Sequence, residues 1–273
     1  MAFKNPDTAI LNEKELYIFD MDGTIYLGGR VFPFAVDFIR RLRAAGKRVL
    51  FFTNNASHSG EFYLEKLTRL GFEPTPDEIL SAGDVTIAFL KLHRPGKSVY
   101  LMGTPQLESM FRAAGIDLLP NDAEKADVVV TSFDTTLTYE KLDAACRLIR
   151  GGAEYLCTHP DFNCPTENGF IPDSGAIAAC VTASTGVEPR YFGKPYEDTV
   201  SMICEVTGCT KEDMCIFGDR LYTDIALGRR HGVTATLVYS GETTPEQHEA
   251  ADACDKADFV YPSLKEVAED MVL

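Results

Sequence analysis

Apolar residues gather along the chain into short continuous runs that stop at polar clusters, with amphipathic stretches between them. Leu16–Phe19 is one such run, and residues 49–52, 128–130 and 214–217 repeat it. Runs of this length without polar alternation predict strands buried on both faces, as in a parallel sheet. Behind Pro33, Phe34, Phe38 and Leu42 recur at four-residue spacing and Gly46 follows, which predicts a helix. Phe62, Leu67 and Leu70 predict the core side of a second helix that stops at Gly71. Thr75, Pro76 and Glu78 form a capping box with proline at the first helical position, so a further helix is expected there.

The rhythm continues from about Lys97, with strands expected at 98–102, 128–131 and 154–157 and helices near 105–114 and 139–149. Gly115, Gly151 and Gly152 punctuate them. Residues 159–172 read as a long turn-rich loop, and loops of that length in a compact domain are more often functional than idle. The last third predicts strands at 190–193, 214–217 and 233–238 and near Phe259. Helices are expected over 197–207 and 224–231, behind a second capping box at Thr244 and Gln247, and from Ser263. No internal repeat or low-complexity segment interrupts the pattern. The fold class is therefore α/β, built on a doubly wound parallel sheet.

With 273 residues, 45% of them hydrophobic, the chain can bury a substantial core as one large or two ordinary domains. A net charge of −15 argues against nucleic acid or an anionic membrane as partner. A phosphate substrate would have to be attracted locally against that overall field. The eight cysteines (146, 157, 164, 180, 204, 209, 215 and 254) contain no CxxC pair. Several, such as Cys180 and Cys215, lie in apolar runs, so buried free thiols are expected rather than a zinc site or disulfides. The N-terminal residues carry no apolar leader and no eighteen-residue apolar stretch occurs, so a soluble protein of a reducing cytoplasm is expected.

The candidate chemistry sits where strands end. Asp20 and Asp22 leave the C-terminal end of Leu16–Phe19, followed by Gly23 and Thr24. That end of a strand is where open α/β sheets bind ligands. Alternate residues of an extended chain point the same way, so the two carboxylates can converge, and a hard cation would relieve their repulsion. Mg²⁺ takes one or two carboxylates with water and substrate phosphate. Three further strand ends carry complementary groups: Thr53 with Asn54, then Lys194, then Asp219 with Asp224. A third carboxylate at Asp219 would complete the protein charge around the metal, with Asp224 orienting it or a metal-bound water. Thr53 and Asn54 offer neutral donors to phosphate oxygens, and Lys194 a point positive charge. Positioning plus cationic stabilisation is what phosphoryl transfer needs.

These motifs, in this order, resemble the haloacid dehalogenase superfamily: Asp20-x-Asp22-Gly-Thr24, Thr53-Asn54, Gly193-Lys194-Pro195 and Gly218-Asp219-x₄-Asp224. The wider stretches around Asp20 and over residues 165–172 look like its NagD-like, p-nitrophenyl-phosphatase branch. The resemblance covers nearly the whole chain. It implies a Rossmannoid core with an inserted C2-type α/β cap, and Mg²⁺-dependent hydrolysis of small phosphate monoesters of the sugar, nucleotide or p-nitrophenyl type. The spacing supports an insertion independently. From Asn54 to Lys194 is 140 positions, whereas one or two βα units of roughly 30 residues each would continue the sheet. The expected division is a core of residues 1–83 plus 189–273 and a cap of residues 84–188.

Carried onto this chain, the resemblance makes Asp20 the nucleophile and Asp22 the general acid and then base. Asp20, the backbone carbonyl of Asp22, and Asp219 would hold Mg²⁺ with help from Asp224. Arg220, Leu221, Tyr222 and Thr223 would face substrate or phosphate, and Asp161 in the 159–172 loop would touch the leaving group. Where many relatives carry Thr-Asn-Pro-Asp this chain has Thr158, His159, Pro160 and Asp161, which leaves the role of His159 open. The resemblance also implies a homodimer through the cap.

Each residue has a plainer reading beside the catalytic one. A lone Asp-x-Asp can be a capping turn, a lone lysine a solvated one, and Asp224 a cap on its own helix. Arg229, Arg230 and His231 end a helix, where cations complement the dipole, so they are not read as phosphate ligands. A phosphotransferase or mutase shares the covalent step, and only the acceptor separates it from a phosphatase. A C–halogen hydrolase would have no use for Asp22 as proton donor or for a metal. A non-catalytic phospho-ligand-binding protein would not need every catalytic side chain present.

Overall fold

Two parallel sheets organise the computed structural model, which describes residue 5, residues 7–166 and residues 169–272. By its contacts the chain divides into two compact units. The first comprises Met1–Thr53, Glu61–Leu80 and Lys194–Leu273, the second Asn54–Gly60 and Ser81–Gly193.

The sheet of the first unit has the strand order Phe259–Tyr261, Thr234–Val238, Met214–Gly218, Leu16–Phe19, Arg48–Thr53, Ile79–Ser81. Every pairing from Phe259–Tyr261 through to Arg48–Thr53 is parallel. Leu16–Phe19 and Met214–Gly218 are buried at every position, as their unbroken apolar character demands. The chain order reverses between these two neighbours, the place where open α/β sheets form a crevice. Their register is fixed by packing. Phe19 lies opposite Phe217 and stacks on it, with centroids 5.0 Å apart, and Phe38 of the helix Pro33–Ala44 meets both rings edge-on. Both strands therefore end level.

The remaining elements of this unit largely follow the sequence pattern, and two departures have a clear physical cause. In the helix Gly60–Arg69 the core side is Tyr63 and Leu67, while Phe62 is exposed. The four-residue step from Tyr63 to Leu67 matches the helical period better than the step from Phe62. The capping box at Thr75 closes only one 3₁₀ turn, Pro76–Glu78, after which the chain enters the strand Ile79–Ser81. A box satisfies local donors but does not set helix length. The helix Ala82–His93 starts later, on a box made by Ser81 and Asp84.

The second unit carries a four-stranded parallel sheet in the order Arg190–Tyr191, Glu154–Cys157, Val128–Thr131, Val99–Met102. Helices Tyr139–Arg150 and Ser174–Thr185 cover it around Tyr100, Val129, Ile149, Tyr155 and Val181. Sequence reading set 190–193 among the strands of the core. The ladder puts Arg190 and Tyr191 against Leu156 and Cys157 instead. The expected loop 159–172 contains an antiparallel ladder, Asn163–Thr166 with Gly169–Pro172. Both strands hold a proline and lack alternation, so neither reads as a strand. All eight cysteines are free thiols; Cys215 is buried as expected, but Cys180 is exposed. Among the described residues no helix is long and apolar enough to cross a membrane.

Candidate active site

Level strand ends bring Asp20 and Asp219 together. The Asp20 backbone N–H donates to the Phe217 carbonyl at 2.9 Å, so the chain leaves one strand beside the end of the next. After Asp219 the chain turns through a π-helical segment, Leu221–Ile225, and the Arg220 N–H donates to Asp224 Oδ2 at 3.2 Å. That turn folds Asp224 back onto the strand end. One carboxylate oxygen each from Asp20, Asp219 and Asp224 lie within 4.8 Å of one another. Lys194 Nζ closes the group, 2.5 Å from Asp20 Oδ1 and 2.7 Å from Asp224 Oδ1. All four side chains are at least largely buried, Lys194 to 2% exposure.

Burial dominates the electrostatics. It pushes the Asp20 carboxyl up to about 6, against the pull of Lys194. Asp219 is pushed up to about 8 by burial and by the charges of Asp20 and Asp224. Lys194 is held above the ordinary lysine value: burial opposes its charge, but the carboxylates of Asp20 and Asp224 outweigh that. Arg220 is raised likewise, chiefly by Asp20 against its own burial, and its Nε lies 2.9 Å from Glu242 Oε2. Three buried acids thus face one buried lysine.

Asp219 shows what is missing from that balance. Its Oδ2 accepts the Glu242 N–H at 2.7 Å, while Oδ1 is buried without a hydrogen-bond partner among the described residues. A buried carboxylate oxygen left unpaired beside a second carboxylate fits a hard, oxygen-preferring divalent cation. Asp224, the third member of that carboxylate group, is also paired with Lys194 through Oδ1 and accepts the Arg220 N–H through Oδ2. Its geometry is that of a support for the lysine.

The other expected residues fall as follows. The Asp22 side chain is exposed and stands outside the carboxylate trio. Thr53 ends its strand half-buried in the first unit, and Asn54 opens the second unit, where its Nδ2 donates to Asp161 Oδ2 at 3.1 Å. Leu221 is half-buried and Thr223 buried, whereas Tyr222 is exposed and donates to Glu242 Oε1 at 3.0 Å. His159 is fully buried in the second unit. Arg229 and Arg230 pair with Asp258 and Asp255.

Sequence reasoning missed Gly241 and Glu242. They follow the strand Thr234–Val238, the neighbour of Met214–Gly218 in the parallel sheet, and so sit on the same edge as Asp219. A Cβ on Gly241 would stand 2.0 Å from Asp219 Oδ2, and one on Gly23 (φ +92°) 2.4 Å from the same atom. Only glycine leaves room for the carboxylate there.

The sequence matches haloacid dehalogenase-like hydrolases over residues 17–117 and a second HAD-hydrolase-like region over residues 191–267. An acid sugar phosphatase of Staphylococcus aureus is 35% identical over 236 residues, spanning 86% of this chain and 90% of that protein. The chain belongs to the haloacid dehalogenase-like hydrolase family. The crystal structure of a 4-nitrophenylphosphatase from Thermotoga maritima superposes with a TM-score of 0.88 at 43% identity, covering 95% of this chain and 98% of that one. A glycerol phosphate phosphatase from Mycobacterium tuberculosis, in complex with magnesium, gives 0.86 at 26% identity, over 97% and 78% of the two chains. Within the HAD family the chain lies in the NagD-like, p-nitrophenyl-phosphatase branch, and it is a phosphatase.

Proposed function

We propose that this phosphatase hydrolyses small phosphate monoesters, sugar phosphates among them, by transferring the phosphoryl group to Asp20 with Mg²⁺ bound beside it. The observation that carries the reading is the buried Lys194 bridging Asp20 and Asp224 next to the uncommitted oxygen of Asp219. Asp20, Asp219 and the Asp22 backbone carbonyl would hold the Mg²⁺. When bound, the ion neutralises charge on the transferring phosphoryl group and lets both carboxylates stay ionised side by side.

The chain's own residues supply the rest. A carboxylate oxygen of Asp20 forms the new P–O bond as the bond to the leaving oxygen breaks, giving an aspartyl phosphate. Asp22, exposed and free of the carboxylate trio, donates its proton to that leaving oxygen. Its carboxylate then takes a proton from water, whose oxygen attacks phosphorus and releases Asp20 and inorganic phosphate. Lys194 keeps Asp20 oriented, and Asp224 keeps Lys194 in place. Thr53, Asn54, Arg220 and Thr223 are proposed to bind phosphate, with Leu221 and Tyr222 flanking the same turn. We read the second unit as the cap that selects the ester, with Asp161 contacting the leaving group. The sugar class draws support from the acid sugar phosphatase relative.

The test is phosphate release from a panel of sugar, nucleotide, glycerol and p-nitrophenyl phosphates, in Mg²⁺ and then in EDTA. Metal-dependent release with one natural ester well ahead is expected. Transfer to an added sugar without free phosphate would replace the hydrolase reading with the phosphotransferase one.

A further inference from the structure

The second unit contains a buried polar chain that the reading above leaves without a role. At its centre is His159, with no exposed surface. Its Nδ1 lies 3.0 Å from Thr158 Oγ1 and its Nε2 2.9 Å from Asp173 Oδ1. Thr158 Oγ1 donates to Ser132 Oγ at 2.8 Å, and Asp173 Oδ1 also accepts the Ser174 N–H at 2.6 Å. Ser132 and Thr158 follow the strands Val128–Thr131 and Glu154–Cys157, while Asp173 caps the helix Ser174–Thr185. One imidazole therefore ties two strand ends to a helix start, and both its nitrogens are used. Burying so many polar groups is tolerable only while every one is paired, so the chain is rigid as a set.

The segment this chain holds leads directly to Asp161. The Asp161 carbonyl accepts the Gly175 N–H at 2.8 Å, and a Cβ on Gly175 would stand 2.0 Å from the Pro160 carbonyl oxygen. The loop backbone thus runs hard against the first turn of the helix that Asp173 caps. A carboxylate oxygen of Asp161 lies within 4.8 Å of the His159 ring and of Asp173. Its Oδ2 accepts the Asn54 Nδ2 hydrogen bond at 3.1 Å. Asp161 is half-buried, whereas the groups behind it are closed off. A single polar carboxylate is presented at the edge of a fixed scaffold.

We propose that His159 is a positioning residue for substrate selection, holding the 158–161 backbone and through it the Asp161 carboxylate. The inference rests on the reading of Asp161 as the contact to the leaving group. A carboxylate that reads a sugar hydroxyl discriminates only if it cannot swing away, because the modest gain from one hydrogen bond is lost to side-chain disorder. The p-nitrophenyl leaving group has no hydroxyl to read.

The test is a double-mutant cycle on Asp161→Ala, His159→Ala and the pair. Each is assayed for kcat and KM on p-nitrophenyl phosphate and on the sugar phosphate of highest kcat/KM in the panel. The expected result is a fall of about tenfold in the ratio of the two kcat/KM values in each single variant, mainly through the sugar phosphate KM, and no further fall in the double. If the losses multiply in the double variant, or if His159→Ala lowers both substrates alike, His159 does not act through Asp161. If Asp161→Ala lowers the ratio but His159→Ala does not, the proposal fails while the reading of Asp161 stands. If Asp161→Ala leaves the ratio unchanged, that reading fails and takes the proposal with it. Should His159→Ala not fold, Asp173→Ser replaces it in the cycle. Serine still caps the helix but is too short to reach the ring.

Discussion

Lys194 Nζ lies 2.5 Å from Asp20 Oδ1, and the lysine reaches that carboxylate from a position where only 2% of its surface meets solvent. A buried ammonium with this partner does more than neutralise charge. It fixes which Asp20 oxygen is engaged and, in the proposed mechanism, leaves the other to attack. Lys194→Met should therefore lower kcat by about a hundredfold or more, the scale of losing one preorganised charge contact. Lys194→Arg should not rescue it, because a planar guanidinium cannot replace a point charge in a closed pocket. Steady-state kinetics on p-nitrophenyl phosphate, with circular dichroism to verify the fold, checks both. Wild-type kcat in Lys194→Arg would show that the site asks only for positive charge.

Asp22 differs from Asp20 in being exposed and outside the carboxylate trio, and the proposed roles divide along that line. Asp22→Ala should lose about 10²–10⁴-fold in kcat on an alkyl phosphate, whose leaving alkoxide needs a proton. The loss on p-nitrophenyl phosphate should be smaller, since nitrophenolate leaves without one. Equal losses on the two esters would remove Asp22 as the proton donor.

Most of this site was legible because its residues sit at strand ends that the apolar runs mark clearly. Leu16–Phe19 and Met214–Gly218 announce themselves, and the polar residues after them stand out. What could not be read was which neighbours share an edge. Gly241 and Glu242 are distant from Asp219 in sequence, and only the pairing of Met214–Gly218 with Thr234–Val238 brings them beside it. The strand Arg190–Tyr191 was misplaced for the same reason, since two residues carry too little pattern to say which sheet they join. The ladder in 163–172 was hidden by its prolines and by exposure on both faces.

Gly241 offers a test of the cation site that does not depend on turnover. Gly241→Ala places a methyl 2.0 Å from Asp219 Oδ2 and 2.8 Å from Asp219 Cβ, so the carboxylate must move. In the wild type, saturating Mg²⁺ should raise the melting temperature, since ligand at about 100 times its Kd contributes about 2.7 kcal/mol. In Gly241→Ala that increment should shrink to little or nothing. Differential scanning fluorimetry with and without Mg²⁺ gives the comparison. An undiminished increment would mean that the ion does not use Asp219.

Asp84 makes a prediction about stability and pH. Its carboxylate accepts the Ser81 N–H at 2.8 Å and the Ser81 hydroxyl at 2.6 Å, closing the capping box of the helix Ala82–His93. Burial nevertheless holds its carboxyl above the ordinary aspartate value, because desolvation outweighs those hydrogen bonds. A carboxyl whose folded value is raised binds protons more readily in the native state, so its ionised form weakens the fold at neutral pH. Asp84→Asn keeps an acceptor for Ser81 and removes the buried charge. It should stabilise the protein at pH 7 by up to about 1 kcal/mol. The advantage should be full above the folded value and vanish below pH of about 4, where the unfolded aspartate is protonated too. Asp84→Ala should instead destabilise by about 1 kcal/mol, because the Ser81 N–H and hydroxyl lose their shared acceptor. Urea denaturation of the three proteins at neutral and acid pH separates the two contributions, and an Asp84→Asn protein less stable than wild type at pH 7 would show that the charge strengthens the cap.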